Sequence, residues 1–364
     1  MFKIFAHLAP CPLGDFVDHA VLVSSIRAMF EDSELYVHFR NDRPYKRAIT
    51  MCIPNAKWVY EEQDFGPGLP VGFFNSNHGR PDFGVTMPDE ARAADLILSG
   101  SMLNHAMLNS IPTVPLEFPP ILDSYKPLLC GLGLDPGKWV ACVYWKQPGY
   151  MYRRDNAVRD IHDSSPYMET ISHIVNDLGG QVVRLGHHKM AQPLIKGVVD
   201  LAGAPIEAQI YAATISRFMI ASGSGPASFG PAFNVPTAVT DQNLCYGAWN
   251  NHDYIVTQSI THGGETLSGF DAFQRGWLFT DWSPKGEVSY ERNTAAQLIA
   301  VADEMFIATE DCPGWRANRP QTIARPLSNV LEFPIRRYYR SGLLIPPSQR
   351  SLSNPIRFKE NIHA

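Results

Sequence analysis

A carboxylate and an imidazole stand close together directly after the first apolar segment of the chain. Asp15 lies in the turn at residues 12–16, and His19 follows it by one helical turn. In open α/β folds, the turn at the carboxyl end of a strand lines the crevice where ligands bind. Asp15 could therefore accept a proton from a bound hydroxyl group, with His19 sharing or tuning that role. The alternative is that Asp15 only caps the helix that begins there.

A second candidate is the run of small residues that follows the apolar segment 218–221. Its members that could contact a ligand are Ser222, Gly223, Ser224, Gly225 and Ser228. Glycines let a backbone approach a diphosphate closely, and the amides and dipole of a following helix favour negative charge. The run matches neither the dinucleotide-binding fingerprint nor a P-loop. A tight turn from strand to helix is therefore the alternative.

A third candidate is a group of cations at the ends of two further apolar segments, residues 139–144 and 181–185. The group comprises Lys146, Arg153, Arg154 and Arg184, with Tyr150 among them and Arg159 as a weaker member. Lysine and arginine can offset the charge of a departing diphosphate. A solvated surface loop is the alternative for residues 146–156, because charged clusters usually face water.

One aromatic residue, Tyr246, lies beyond the apolar segment 237–239. Its ring could stack on a nucleobase or touch a sugar. A place in a lid or in the core is equally compatible with the sequence.

The sequence lacks the patterns that hold a divalent metal or build a common hydrolase. It contains no Asp-x-Asp pair to hold an ion against a diphosphate, and no His-Glu-x-x-His or Gly-x-Ser-x-Gly motif. The six cysteines are scattered without a Cys-x-x-Cys pair, which disfavours zinc and indicates free thiols. We therefore expect chemistry without a metal or any cofactor other than the substrates.

Composition indicates a compact globular protein. Of 364 residues, 45% are hydrophobic and 18% are charged, and the net charge is −5. This net negative charge argues against a broad nucleic-acid-binding surface, which needs an excess of lysine and arginine. The sequence contains no run of about 18 apolar residues, so it predicts no membrane span. Pro10 and Pro12 interrupt the apolar start before it could form the core of a signal peptide, so we expect a cytoplasmic protein.

Apolar runs alternate with segments of helical periodicity, which is typical of parallel sheets covered by helices. The strands predicted in the first half cover residues 3–8, 34–39, 72–74, 95–98 and 113–116. Those predicted in the second half cover residues 139–144, 181–185, 218–221, 237–239 and 254–256. The predicted helices include residues 16–30 and 167–178.

A stretch rich in proline and glycine, residues 116–138, separates the two halves. We therefore predict an α/β protein with two Rossmann-like lobes, residues 1–130 and 131–320. The tail, residues 321–364, is expected either to pack back on the lobes as a strap or to be partly mobile.

The first half resembles the opening of heptosyltransferase-like enzymes. The resemblance rests on Gly14-Asp15, on the apolar helix at residues 16–30 and on the strand at 34–39. It implies the GT-B arrangement, in which two Rossmann-like lobes face each other across a cleft. It also implies that an aspartate at the position of Asp15 serves as a base.

The second half resembles bacterial surface-carbohydrate glycosyltransferases that are distantly related to the fucosyltransferase group. The segments that carry this resemblance are residues 149–156, 180–186, 218–236 and 290–305. One position departs from the pattern, because Tyr144-Trp145-Lys146 stands where the fucosyltransferase-like members carry His-x-Arg. The resemblance then implies that Lys146 or Arg154 supplies the cation that faces the phosphates.

Together these resemblances imply a metal-independent, inverting glycosyltransferase of cell-surface glycan synthesis. It would move a sugar from a nucleoside-diphosphate donor, held mainly by the second lobe, to a hydroxyl of a glycan, a lipid-linked acceptor or another small acceptor. Two alternatives stay open: a nucleotide-sugar epimerase or hydrolase on the same fold, and a non-catalytic protein that binds a nucleotide sugar. The sequence also leaves a homo-oligomer open.

Overall fold

The fold was analysed in a computed structural model that describes residues 1–8, 11–62, 89–99, 108, 113–148, 159–190, 195–242, 250, 253–267, 288–310 and 350–351. The first half forms a parallel sheet of four strands in the order β3-β2-β1-β4. These strands are β1 (Phe2–Leu8), β2 (Ser33–Arg40), β3 (Ala56–Glu62) and β4 (Leu96–Ser99). Its helices are α1 (Leu13–Ala28), α2 (Pro44–Thr50) and α3 (Asp89–Arg92).

The second half forms a larger parallel sheet in the order β14-β10-β9-β8-β5-β6-β7. Its strands are β5 (Val140–Tyr144), β6 (Gln181–Arg184), β7 (Val198–Asp200), β8 (Phe218–Ser222), β9 (Thr237–Gln242), β10 (Tyr254–Thr257) and β14 (Arg350–Ser351). A small antiparallel sheet contains β11 (Ser259–His262), β12 (Glu265–Thr266) and β13 (Val288–Glu291). The helices are α4 (Tyr125–Gly131), α5 (Ser165–Asn176), α6 (Ile206–Ile215), α7 (Phe229–Ala232) and α8 (Ala295–Ala308), with 3-10 turns at Pro120–Ser124 and Gly225–Ser228.

The central strands of the second sheet are buried along their whole length. Every residue of β5 and β8 is buried, which is expected when helices cover both faces of a parallel sheet. Alternate residues of β5 pack into two separate apolar clusters, one on each face of the sheet. The prediction of an α/β protein built on parallel sheets is confirmed.

Helix α1 contacts elements of both halves of the chain. It packs against β1 and β2 of the first sheet, and also against α7 and the 3-10 turn that follows β8. Its side chains from residue 16 to residue 25 are all buried, because the helix is covered on every side. This packing places the start of α1 beside the carboxyl end of β8.

One predicted strand is wrong. Residues 113–116 form no secondary structure element and pair with no strand of the described chain. Instead, the Val114 amide donates to Ser25 Oγ and the Leu116 amide donates to the Ala232 carbonyl. Side-chain and helix-end acceptors therefore satisfy amides that a sheet would otherwise have paired. The strand predicted at residues 72–74 lies outside the described residues.

Candidate active site

The two turns singled out in the sequence are in contact. A methyl group added at Gly14 would lie 3.1 Å from Gly225 Cα, and one added at Gly225 would lie 3.0 Å from the Gly14 nitrogen. Because a methyl group at either position would need the neighbouring backbone to move by a few tenths of an ångström, the two turns approach closely at a pair of glycines. The fold therefore brings the Asp15 turn of the first lobe against the serine–glycine turn of the second.

Asp15 lies in the first turn of α1 and does not occupy its capping position. The helix begins at Leu13 after Pro12. Asp15 is half-buried, and a carboxylate in the first turn is stabilised by the helix dipole. Asp15 therefore lies next to the point where Gly14 meets Gly225.

His19 lies behind this turn and is fully buried. Its Nδ1 atom is 3.7 Å from the Sγ atom of Cys11. Burial raises the pKa of the Cys11 thiol, and the negative charge of Asp15 raises it further, whereas the positive charge of Lys46 acts in the opposite direction. Burial thus favours the neutral thiol of Cys11, and the buried His19 packs beside it within hydrogen-bond distance for sulfur.

The serine hydroxyls of the second turn are held by the end of β5. Ser222 Oγ accepts a hydrogen bond of 2.8 Å from the Lys146 amide, and Ser224 Oγ accepts one of 3.3 Å from the Tyr144 hydroxyl. A hydroxyl that accepts one hydrogen bond still has its own proton to donate. Ser224 is half-buried, whereas Ser222 and Ser228 are buried, so Ser224 is the serine best placed to contact a ligand.

The backbone of this turn offers hydrogen-bond donors. The Ser224 carbonyl accepts a hydrogen bond of 2.9 Å from the Ala227 amide. The amides of Ser224 and Gly225 donate to no atom of the described chain. Two half-buried N–H groups at the start of a helical turn form a suitable site for phosphate oxygens.

Lys146 is held by a buried carboxylate. Its Nζ atom forms an ion pair with Asp160, which is 4% exposed. The Asp160 carbonyl in turn accepts a hydrogen bond of 2.8 Å from Arg292 Nη2. Lys146 thus contributes positive charge close to the turn, but its ammonium group is already partly balanced.

Arg184 is fully buried. Its Nη1 atom lies 3.1 Å from Asp200 Oδ2, and its guanidinium carbon lies 4.4 Å from the centre of the Trp145 ring. Burial lowers the pKa of Arg184, and Asp200 opposes that effect. Within the described chain, Nε and Nη2 of Arg184 and Nε1 of Trp145 are buried without an acceptor. Whether Arg184 binds the donor stays a prediction.

The other predicted donor-binding residues lie outside the described residues. They are Tyr150, Arg153, Arg154 and Tyr246. Two residues of the site were missed at the level of sequence. Tyr144 was read only as part of a strand, and Arg292 only as part of a family motif. The apolar run of β5 gives no alternation that would have distinguished Tyr144 from the strand residues before it.

No group of three or more His, Cys, Asp or Glu side chains that could hold a metal ion occurs within the described ranges. Over the same residues, none of the helices is long and apolar enough to cross a membrane.

Comparison with solved structures identifies the fold. The chain is similar to a glycosyl transferase family 9 protein from Veillonella parvula, with a TM-score of 0.52 and 11% identity over 84% of this chain and 98% of that one. It is also similar to the E. coli ADP-heptose LPS heptosyltransferase II, with a TM-score of 0.50 and 12% identity over 85% of this chain and 100% of that one. The chain has the GT-B fold. No protein-family model and no curated protein matches the sequence.

The predicted fold class and the predicted resemblance to heptosyltransferase-like proteins are confirmed at the level of the fold. The predicted domain boundaries and site residues stay predictions.

Proposed function

We propose that this GT-B chain is a glycosyltransferase that moves a sugar from a nucleoside-diphosphate donor to an acceptor hydroxyl. The observation that carries the proposal is the contact between Gly14 and Gly225. It brings a half-buried carboxylate, Asp15, next to a turn in which the Ser224 and Gly225 amides donate to no described residue. A base and an anion-binding turn at one point are the two elements that transfer from a diphosphate requires.

The proposed reaction is a single displacement. Asp15 accepts the proton of the acceptor hydroxyl while that oxygen forms a bond to the anomeric carbon of the donor sugar. The bond from the anomeric carbon to the diphosphate oxygen breaks, and its electron pair leaves with the nucleoside diphosphate. Attack from the side opposite the leaving group inverts the anomeric centre. His19, being buried, would act only through the packing of the turn.

The charge that develops on the diphosphate would be stabilised by groups of the second lobe. The amides of Ser224 and Gly225 and the Ser224 hydroxyl are the candidate donors. The positive ends of α1 and of the turn after β8 add to them. Lys146 supplies a fixed cation nearby. We propose that these groups perform the neutralisation without a divalent ion, as the lack of an Asp-x-Asp pair predicts.

The remaining features of the proposal come from the sequence resemblance. The acceptor would be a glycan, a lipid-linked acceptor or another small molecule, and the reaction would contribute to cell-surface glycan synthesis in the cytoplasm. Neither the donor nucleotide nor the sugar is specified by the described residues.

A binding screen followed by a turnover assay tests this proposal. Thermal shifts are measured with ADP, GDP, UDP, CDP and TDP, since a ligand at 100 times its Kd adds about 2.7 kcal/mol of stability. The sugar nucleotides of the best base are then incubated with and without a panel of mono- and oligosaccharide acceptors. We expect turnover that depends on an acceptor and survives EDTA.

Three results would contradict the proposal in different ways. If no nucleoside diphosphate raised the melting temperature, the proposed donor site would be refuted. Rapid turnover of a sugar nucleotide without any acceptor would favour the epimerase or hydrolase alternative. Loss of turnover in EDTA, restored by magnesium or manganese, would refute the metal-independent mechanism.

A further inference from the structure

Arg159 contacts the serine–glycine turn at a single peptide unit. Its Nη2 atom donates a hydrogen bond of 3.2 Å to the Gly223 carbonyl. The nitrogen of the same peptide unit belongs to Ser224, whose amide donates to no atom of the described chain. The arginine and a candidate phosphate-binding amide are therefore the two ends of one rigid group.

Because the peptide unit between Gly223 and Ser224 is planar and trans, its hydrogen bond from Arg159 also orients the Ser224 N–H. In a planar trans unit, the C=O and N–H bonds point in opposite directions. A guanidinium on the Gly223 carbonyl therefore fixes the Ser224 N–H on the side away from Arg159. A charged donor also polarises the peptide unit, which makes that N–H a stronger donor in turn.

The adjoining peptide unit is fixed by the same principle. The Ser224 carbonyl accepts the Ala227 amide, so the Gly225 N–H must point away from the 3-10 turn. Gly225 is also the residue that lies against Gly14. One amide is thus oriented by a helical hydrogen bond and the other by an arginine side chain.

The surroundings restrict this turn further. A side chain at Gly223 would collide with the carboxamide of Gln242, and the Gly223 amide donates a hydrogen bond of 3.2 Å to the Thr240 carbonyl. Arg159 itself precedes Asp160, which is anchored by Lys146 and by Arg292. The described cations beside the turn therefore hold its framework, and Arg159 donates to its backbone.

We infer that Arg159 is a positioning residue for the diphosphate of the donor, acting through the Ser224 amide. This inference rests on the proposed function, because it assigns the oriented amide to a phosphate oxygen. It predicts that Arg159 affects recognition of the phosphates and leaves recognition of the nucleoside unchanged.

The test compares two ligands on three variants of the full chain. Affinities for the nucleoside diphosphate found in the screen and for its parent nucleoside are measured by calorimetry with R159A, R159K and K196A. Lys196 is an exposed cation of the same lobe and serves as the matched control. For R159A we expect diphosphate affinity to fall about 10- to 100-fold, the usual effect of a hydrogen bond to a charged group.

The nucleoside affinity of R159A should stay within about twofold, which is a small effect on the scale of a lost hydrogen bond. R159K keeps the charge but not the forked geometry, so its diphosphate affinity should fall between those of R159A and the unaltered chain. K196A should bind both ligands normally. The selective loss is a readout that general destabilisation would not produce.

Two outcomes would overturn the inference. One is an R159A variant that binds the diphosphate as tightly as the unaltered chain does. The other is an equal loss of affinity for diphosphate and nucleoside, in R159A or in R159K if R159A does not fold. A separate result, in which the unaltered chain binds no nucleoside diphosphate, would refute the proposed function instead.

Discussion

The two turns that meet at Gly14 and Gly225 are held in place in different ways. The serine–glycine turn of the second lobe is fixed by hydrogen bonds to its backbone and hydroxyls from Tyr144, Lys146 and Arg159. The turn of the first lobe is surrounded by packed, buried side chains. Behind it lie the buried Cys11 and His19, and the Tyr45 hydroxyl donates a hydrogen bond of 2.9 Å to the Cys11 carbonyl.

This difference fits a division of labour between the lobes. Hydrogen bonds fix the direction of individual amides, which is what binding of phosphate oxygens requires. Packing fixes the position of a helix end, and that is enough to place one carboxylate. We therefore expect changes in the second turn to act mainly on donor affinity and changes in the first to act mainly on the rate of transfer.

The largest effect should come from removing the proposed base. D15N keeps the shape of the side chain but cannot accept the acceptor proton, so kcat should fall about 10²- to 10⁴-fold. Affinity for the nucleoside diphosphate should be almost unchanged, because the donor groups lie on the other lobe. Steady-state kinetics and calorimetry measure the two quantities separately.

The neighbouring carboxylate Asp18 provides a control for a purely electrostatic effect of D15N. It lies in the same helix but is buried at 4% exposure, so D18N tests whether any lost charge near the turn slows transfer. If D15N retained normal kcat, or if it lost donor affinity as strongly as rate, the proposed separation between the two turns would be wrong.

The next largest effect should come from the contact itself. In G225A, the added methyl group would meet the Gly14 nitrogen at 3.0 Å and Leu13 Cβ at 3.1 Å. Backbone atoms yield little, so the two turns must separate slightly. A displacement of about 1 Å in a positioned site can cost 10²-fold in rate, and because the movement needed here is a few tenths of an ångström, we expect kcat to fall by up to about 10-fold.

Gly131 offers a matched control for this substitution. It lies at the end of α4, and a methyl group there would meet nothing within 4 Å. G131A should therefore leave kcat unchanged. Equal kinetics for G225A and G131A would show that the close contact of the glycines is not required for transfer.

A smaller effect is expected at the hydroxyl side of the second turn. Y144F removes the donor to Ser224 Oγ without changing the packing of the ring. A neutral hydrogen bond contributes about 0.5–1.5 kcal/mol, so affinity for the nucleoside diphosphate should fall about 2- to 10-fold. The reaction rate at saturating donor should change less than the affinity.

Y36F is the control for Y144F, because the Tyr36 hydroxyl also donates to a side chain, Glu34, but does so away from the turns. Calorimetry on both variants distinguishes a local effect on Ser224 from a general effect of losing a tyrosine hydroxyl. An unchanged affinity in Y144F would mean that Ser224 does not contact the diphosphate.

Much of the fold could be predicted from the sequence, since its central strands are apolar runs bounded by turn residues. The elements that were missed lack that signal. Strand β3 (Ala56–Glu62) ends in two glutamates, and β7 (Val198–Asp200) has three residues. Helix α6 (Ile206–Ile215) is buried around almost its whole circumference, polar Gln209 and Thr214 included, so it has no single apolar face. Residues 113–116 were mistaken for a strand because an apolar run does not reveal which acceptors its amides will find.

The candidate site was predictable only in part, for a similar reason. Each turn could be recognised from its own residues, but their contact depends on how two separately folded sheets pack. Arg184 shows the same limit. Its position at a strand end predicted a donor-binding cation, which stays a prediction. Its burial, its ion pair with Asp200 and its contact with Trp145 depend on other segments of the chain.

The smallest effect is expected on the side of the second lobe where α5 packs against α8, and it should concern stability alone. His173 forms hydrogen bonds of 2.7 Å to Asp177 and to Asp303 of the neighbouring helix. Burial lowers the pKa of His173, but the two carboxylates outweigh it, and the net pKa is raised. The stabilisation is therefore complete below the unfolded-state pKa of about 6.5 and is lost as the pH rises through the folded-state value.

H173Q should thus be less stable than the unaltered chain by up to about 1 kcal/mol at pH 5.5, with a smaller difference at pH 8.5. Urea unfolding at the two pH values measures this, and H162Q, at an exposed histidine just before α5, is the control. Transfer at neutral pH should be unaffected, because His173 belongs to the packing of two helices and to neither turn. A loss of kcat in H173Q without a loss of stability would show that α5 and α8 influence the site. The two turns would then not be the only parts of the described chain that control transfer.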